Sequence, residues 1–206
     1  MPERRSSHVK VTKDDWLNLA QAALIRNGVE AVRILTLGKK LKVSRSSFYW
    51  YFRSREDLLD QLLENWRRKN SQAIIERAAR PSSSITHAIL NVFECWVNET
   101  LFNTKLDFAV RAWGRKSGAV ARVVEQEDTK RVDALCEMYK RHGYPDDDAL
   151  VRSRVLYLTQ LSYFSLGINE VMDARIRQAP LYIRCFTGTV PSAAEMATFA
   201  RYAEAL

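Results

Sequence analysis

Residues 43–59 read VSRSSFYWYFRSREDLL, and this stretch decides how the other residues of the 206-residue chain are read. Tyr49, Trp50 and Tyr51 stand between two core-type phenylalanines, Phe48 and Phe52, with Arg45, Arg53 and Arg55 on either side. In a helix, Phe48 and Phe52 are four residues apart and share a face, the spacing of two anchors in a small helical core. Arg45, Ser46, Ser47 and Trp50 then fall toward the other faces and the helix N-terminus. Aromatics left outside a core beside positive charge suit a helix that offers base-contacting and phosphate-contacting groups together. The stretch reads as the recognition helix of a helix-turn-helix.

Working outward, Thr12 is a plausible N-cap, with Asp14 and Asp15 in the first turn and Trp16, Leu19, Ala20, Ala23 and Leu24 at helical spacing before Asn27-Gly28. A second helix over 35–41 and a tight turn over 42–44 lead into a third helix over 45–52. Ser54, with Asp57 three residues on, resembles a capping box. It opens a long helix carrying Leu58, Leu59, Leu62, Leu63, Trp66, Ile74 and Ile75, expected to run to Ala79 before Pro81. Further helices are expected over 84–101, 104–115, 117–141, 146–169, 171–186 and 192–205. Glycine and proline are scarce, at 7 and 5, and fall mostly between these segments, and strand-like alternation is absent. The expected fold is all-α, with a three-helix helix-turn-helix domain at 1–55 and a helical domain at 56–206.

Charge follows the same division. Residues 1–56 hold 12 Lys and Arg against 5 Asp and Glu, whereas residues 57–206 hold 20 against 19. Most of the net +8 therefore surrounds the aromatic cluster, as in a basic module that meets a polyanion and is joined to a neutral body. A solubilising surface is the bland alternative that charge alone leaves open. Cys95, Cys136 and Cys185 are too few and too far apart for a disulfide framework or a metal site. The longest uncharged run, 155–169, is shorter than the roughly 18 apolar residues of a membrane span. The N-terminus lacks a signal-peptide core, so a cytoplasmic location with no membrane partner is the expectation. His8, His87 and His142 are isolated, and no nucleophile motif, phosphate loop or metal-ligand spacing appears. No enzyme, cofactor or metal is expected.

The N-terminal third resembles the TetR/AcrR family of one-component transcriptional regulators. The resemblance spans roughly residues 12–66 and rests on NLAQAALIRNGVEAVRI, LTLGKKLKVS and RSSFYWYFRSREDLL. Val43, Ser44, Phe48, Tyr49, Trp50, Phe52, Arg55, Leu58 and Leu59 fall where the family pattern places such residues. Three positions depart from it: Lys42 stands where glycine is usual in the turn, Tyr51 where histidine is common, and Arg33-Ile34-Leu35 lacks the usual hydroxyl residue.

As a recognition segment, Arg45, Ser46, Ser47 and Trp50 are the base-contacting candidates. Arg45 has the reach for a bidentate contact to guanine, and Trp50 the surface to pack on sugars or thymine methyls. Tyr49, Tyr51, Arg55, Arg33 and Lys39 are the phosphate-contacting candidates, with core cover as the alternative for Tyr49 and a solvated surface for Arg33. Arg4, Arg5 and Lys10 suit either a groove-reaching arm or a plain tail.

The resemblance implies a homodimer on double-stranded DNA and an unidentified small-molecule ligand held in the C-terminal body. The helix over 146–169, uncharged through its second half, is the dimerisation candidate, with Tyr157, Leu161, Phe164 and Ile168 at the interface; an ordinary core helix is the alternative. Phe93, Trp96, Phe108, Arg111, Trp113, Tyr139 and Tyr157 are the pocket candidates, each also readable as plain core, and Phe102 and Phe164 are similar. Asp107 and Arg111, at i and i+4, read most simply as an exposed salt bridge, with a buried pair or a polar handle for a ligand as the alternatives. Function is then a repressor released from its operator by a ligand. Activation by the same fold, or a helical protein without specific DNA binding, are the alternatives.

Overall fold

The computed structural model describes residues 11–206, which are helical and, among the described residues, contain no strand. The chain divides into two compact units, the first ending at Asn65 and the second starting at Trp66. The expected boundary lies at residue 55, and this division comes ten residues later, within the fourth helix. Arg4, Arg5 and Lys10 lie outside the described residues.

The first unit holds α1 (Lys13–Asn27), α2 (Ile34–Leu41), α3 (Arg45–Phe48) and α4 (Arg55–Trp66). Thr12 caps α1 as expected, its hydroxyl accepting from the Asp15 amide while the Asp15 carboxylate accepts from the Thr12 amide. The core is aromatic. Trp16 meets Phe48 edge-on at 5.2 Å, and Phe48 stacks on Phe52 at 5.1 Å. Gly38 permits the closest approach, since a Cβ there would stand 3.3 Å from the Val43 carbonyl oxygen and 3.5 Å from the Trp16 ring.

Expected helix ends shift for local reasons. The third helix ends at Phe48 rather than residue 52, because the Tyr49 and Tyr51 amides reach back only three residues, to the Ser46 and Phe48 carbonyls. The helix expected over 84–101 ends at Val97, where Asn98 turns extended and its side-chain oxygen takes the Thr100 amide.

The second unit holds α5 (Gln72–Ala79), α6 (Ile85–Val97), α7 (Thr104–Gly114), α8 (Gly118–Arg141), α9 (Asp146–Ser165), α10 (Met172–Thr187) and α11 (Ala193–Glu204). Helix α6 is buried on nearly every side and forms the centre of the body. Helix α9 stops at Ser165, short of the expected residue 169, as Gly167 takes a left-handed conformation at φ +65°. Between α4 and α5 the chain stays helical but makes one π turn, Arg67–Ser71.

That wide turn presents two consecutive residues, Asn70 and Ser71, to the interior. Asn70 exchanges hydrogen bonds with the Asn103 backbone, at 3.0 and 3.1 Å, while Ser71 accepts from Arg131 Nε at 3.1 Å. Arg131 is fully buried, lies over the Trp66 ring and donates to Asp107 at 3.1 Å and to the Tyr157 hydroxyl at 2.9 Å. Asp107 also accepts from the Trp66 indole and from Arg111, each at 2.8 Å. Arg111 forms a two-pronged pair with Asp128 at 2.6 and 2.7 Å. Asp107 and Arg111 are thus a buried pair rather than the exposed bridge their spacing suggests, because Arg131 and Trp66, distant in sequence, close over them.

Burial opposes the charge on Asp107, but Arg131, Arg111 and the Trp66 indole outweigh it and hold the carboxyl below its ordinary value of 3.8. A carboxyl depressed in the folded state stabilises the fold above its unfolded value, and this is lost as pH falls through the folded value. Asp107→Asn leaves the buried Arg131 with only the more distant Asp128, at 3.7 Å, as a carboxylate partner and is expected to cost about 3 kcal/mol at pH 7, read by urea denaturation. The deficit should shrink as pH is lowered below 3.8 and wild-type Asp107 begins to protonate. An unchanged midpoint at pH 7 would show that the pair contributes nothing.

Candidate nucleic-acid interface

Helix α2, the turn and α3 form the candidate DNA-facing surface. The turn is closed by hydrogen bonds from the Lys42 amide to the Lys39 carbonyl and from the Val43 amide to the Gly38 carbonyl, at 3.2 and 3.0 Å. Lys42 caps α2 at φ +57°, the one described non-glycine residue with positive φ. The glycine usual at this position would adopt that conformation freely, whereas a lysine side chain strains it.

With Phe48 and Phe52 buried, the rest of the aromatic cluster sorts by exposure. Trp50 is 74% exposed and Tyr49 46%, while Tyr51 is half-buried. Arg45 and Ser46 are exposed at the first turn of α3, and Ser47 is half-buried beside them. Arg45 donates to the Tyr49 hydroxyl at 2.9 Å and lies over its ring, so the two form one polar unit on the surface. Ser44 and Ser46 pair through their hydroxyls at 2.7 Å. Arg45, Ser46 and Trp50 are therefore each accessible and free of the anchoring task.

The phosphate candidates divide. Lys39 and Arg33 are exposed near opposite ends of α2, with Arg33 Nε bonded to the Glu30 carbonyl at 2.9 Å. Arg55 turns inward instead: Nε donates to the Val32 carbonyl at 2.6 Å and Nη2 to the Val29 carbonyl at 2.8 Å. It clasps the loop after α1 with these two donors. The Tyr51 hydroxyl likewise donates to the Val11 carbonyl at 2.8 Å. The start of α4 is fixed as expected, with Ser54 accepting from the Asp57 amide. The Asp57 carboxylate accepts from Arg53 N rather than from the cap itself. That backbone hydrogen bond and one from Gln61 hold the Asp57 carboxyl below its ordinary value.

Residues 17–62 match the sequence model described as "Bacterial regulatory proteins, tetR family". The likeness to that family is confined to these residues. The matched segment contains α2, the turn, α3 and the anchored aromatics just described. The match covers less than a quarter of the chain. A solved structure from Mesorhizobium loti MAFF303099, assigned to the TetR-family transcriptional regulators, is similar at 14% identity over 93% of this chain and 91% of that one, with a TM-score of 0.44. Likeness that distant carries no argument about the body. No curated protein matches.

The pocket candidates of the body are not gathered in one place. Phe93 and Trp96 line an apolar cavity between α6, α9, α10 and α11, together with Gln160, Tyr163, Tyr182 and Phe186. Arg111 and Tyr157 line a separate open groove along α8 and α9. Trp113 and Tyr139 are core, as is Phe102, and Phe108 is half-buried on α7. Of the interface candidates, Tyr157 is buried in its own unit, where its hydroxyl donates to Asp128 at 2.6 Å. Leu161 and Phe164 pack against the core, and Ile168 is exposed beyond the end of α9. The apolar residues left exposed on these helices are Val151, Val155 and Leu158 of α9 and Leu181 and Tyr182 of α10. Their i, i+4, i+7 spacing on α9, opposite Ala149, Ser153 and Leu156, was the sequence signal for that face.

Two substitutions test the scaffold of the first unit in opposite directions. Arg55→Ala leaves two carbonyls without a charged donor and is expected to cost about 1–3 kcal/mol. Lys42→Gly removes the left-handed strain and should add about 1 kcal/mol. Hydrogen exchange of the α1 and α4 amides reads both; protection that is unchanged in Arg55→Ala would reject the clasp.

Proposed function

We propose that the protein is a homodimeric repressor that occupies a DNA operator through α3 and leaves it when a small molecule enters the body. The observation that carries the DNA part is the division of labour in residues 45–52: Phe48 and Phe52 are buried while Arg45, Ser46 and Trp50 face solvent. An aromatic of that exposure beside a guanidinium has no role in the core, and it supplies the apolar and hydrogen-bonding contacts that base edges accept. The excess positive charge of residues 1–56 supports the same reading, since phosphate neutralisation provides much of the affinity for DNA.

Dimerisation is supported by the apolar face on α9 and α10. Val151, Val155, Leu158, Leu166, Ile168 and Tyr182 line one shallow groove. A contiguous apolar surface of this kind on a charged protein marks a contact with another macromolecule. Two-fold pairing would set two α3 helices against two half-sites. Ligand release is supported by the apolar cavity beside this face.

A titration against the DNA flanking the protein's own gene, with random DNA as competitor, tests the reading. Tight binding to one pseudo-palindromic site, weakening steeply with salt, is expected. Arg45→Ala is expected to weaken that site by about 1–3 kcal/mol and to relax one base preference. Equal loss on unrelated sequences would make Arg45 a phosphate contact instead. Leu158, 56% exposed, can be changed to glutamate with little effect on folding. Leu158→Glu with Leu181→Glu should give a folded monomer by light scattering, and a dimer that persists would exclude this face.

A further inference from the structure

We propose that the cavity between α6, α9, α10 and α11 takes up a flat, uncharged aromatic compound carrying one hydrogen-bond acceptor, an inference that deepens the ligand-release reading and rests on it for the cavity's regulatory role. Shape and apolarity come first. Phe93 lies 5.3 Å from the Trp96 ring and meets Phe186 and Phe199 edge-on at 6.4 and 6.3 Å, so much of the wall is aromatic. The cavity is narrow, about 60 Å³, against roughly 150 Å³ for an apolar protein cavity that binds benzene. Entry of a ring therefore requires a wall to move, and Tyr182, 40% exposed and stacked on Phe186, is the wall assigned to do so. A thin ring between aromatic walls gains offset or edge contacts that a puckered aliphatic ring of the same size does not.

Charge comes second. Glu170 and Arg175 both line the cavity, but each is already engaged by the protein. Glu170 accepts from the Tyr163 hydroxyl at 2.8 Å and from Gln178 at 3.3 Å. Arg175 donates to the Trp96 carbonyl at 2.9 Å and lies over the Tyr163 ring. The pair sums to zero, and neither member needs an ionic ligand.

The third observation selects the acceptor. Four buried side-chain polar atoms among the described residues have no hydrogen-bond partner: Trp16 Nε1, Asn91 Nδ2, Arg131 Nη2 and Gln160 Nε2. Of their residues, Gln160 is the one that lines the cavity. A buried donor without an acceptor is costly, and a ligand bringing a carbonyl or ether oxygen to it recovers that cost. An apolar ring alone would leave it unmade.

Three probes of nearly equal size separate these terms: acetophenone, ethylbenzene, which lacks the acceptor, and cyclohexyl methyl ketone, which lacks the flat ring. Each is titrated calorimetrically into the full chain without DNA. Acetophenone is expected to bind about tenfold tighter than either of the others. In Gln160→Leu its preference over ethylbenzene should vanish, while binding of ethylbenzene is retained. Ala179→Trp, which fills the cavity from a buried wall position, should abolish binding of all three; Gln160→Leu keeps the test decisive if that variant misfolds. The proposal is overturned if none of the probes binds the wild type, if acetophenone and ethylbenzene bind equally, or if the preference survives in Gln160→Leu. The function proposed above fails separately. Acetophenone that binds with these preferences yet leaves the operator complex intact upholds the cavity chemistry and removes ligand release.

Discussion

A helix of four residues cannot hold itself together, since fixing one turn costs more than its few hydrogen bonds return. Helix α3 exists because Phe48 is held between Trp16 and Phe52, and the whole candidate DNA surface depends on that clamp. Trp16 is delivered by α1, which its Thr12–Asp15 capping box fixes in register. The close approach at Gly38 lets the turn pass over Trp16 without a side chain between them. Arg55 ties the segment after α1 from the start of α4. The cost of this compactness is one strained residue, Lys42, at the point where the chain reverses into α3.

The body solves a different problem. Its central polar cluster places Asp107, Asp128, Arg111 and Arg131 within one bonded set, with Tyr157 accepting from both arginines and donating to Asp128. Charges that bury together must be paired and hydrogen-bonded, or they cost several kcal/mol each. Here nearly every lone pair and proton is met, and the π turn at Arg67–Ser71 is the device that brings two further partners, Asn70 and Ser71, to the cluster. A regular α turn would carry one of them away from it.

This contrast explains what the sequence could and could not disclose. Helix positions were legible because capping residues, glycines and the 3.6-residue period are local signals, as at Thr12, Ser54 and Ser84. The exposed and buried halves of residues 45–52 were legible for the same reason, since a spacing of four assigns Phe48 and Phe52 to one face. Arg55 was not: its partners, the Val29 and Val32 carbonyls, lie more than twenty residues away, and an arginine beside aromatics looks the same whether it turns in or out. Asp107 and Arg111 were misjudged on similar grounds, because their burial is produced by Trp66 and Arg131. Tyr157 was placed at an interface because its helix is apolar, but only its phase relative to Ala149 and Ser153 shows that it faces inward.

The two hollows of the body differ in the state of their polar groups, and that difference bears on which can recognise a small molecule. In the groove along α8 and α9, Arg111, Asp128 and Tyr157 already satisfy one another. A ligand entering there must compete with charge-assisted bonds and leave a buried partner stranded, so its net gain is small. In the cavity beside α6, the charged residues are likewise occupied, but the Gln160 amide is not. Specific recognition is strongest where a site has a polar group that only the right ligand can pair, because the wrong one leaves it unpaired. The cavity meets that condition at Gln160, whose Nε2 is buried without a partner. In the groove, Arg111, Asp128 and Tyr157 offer no buried group left without a partner.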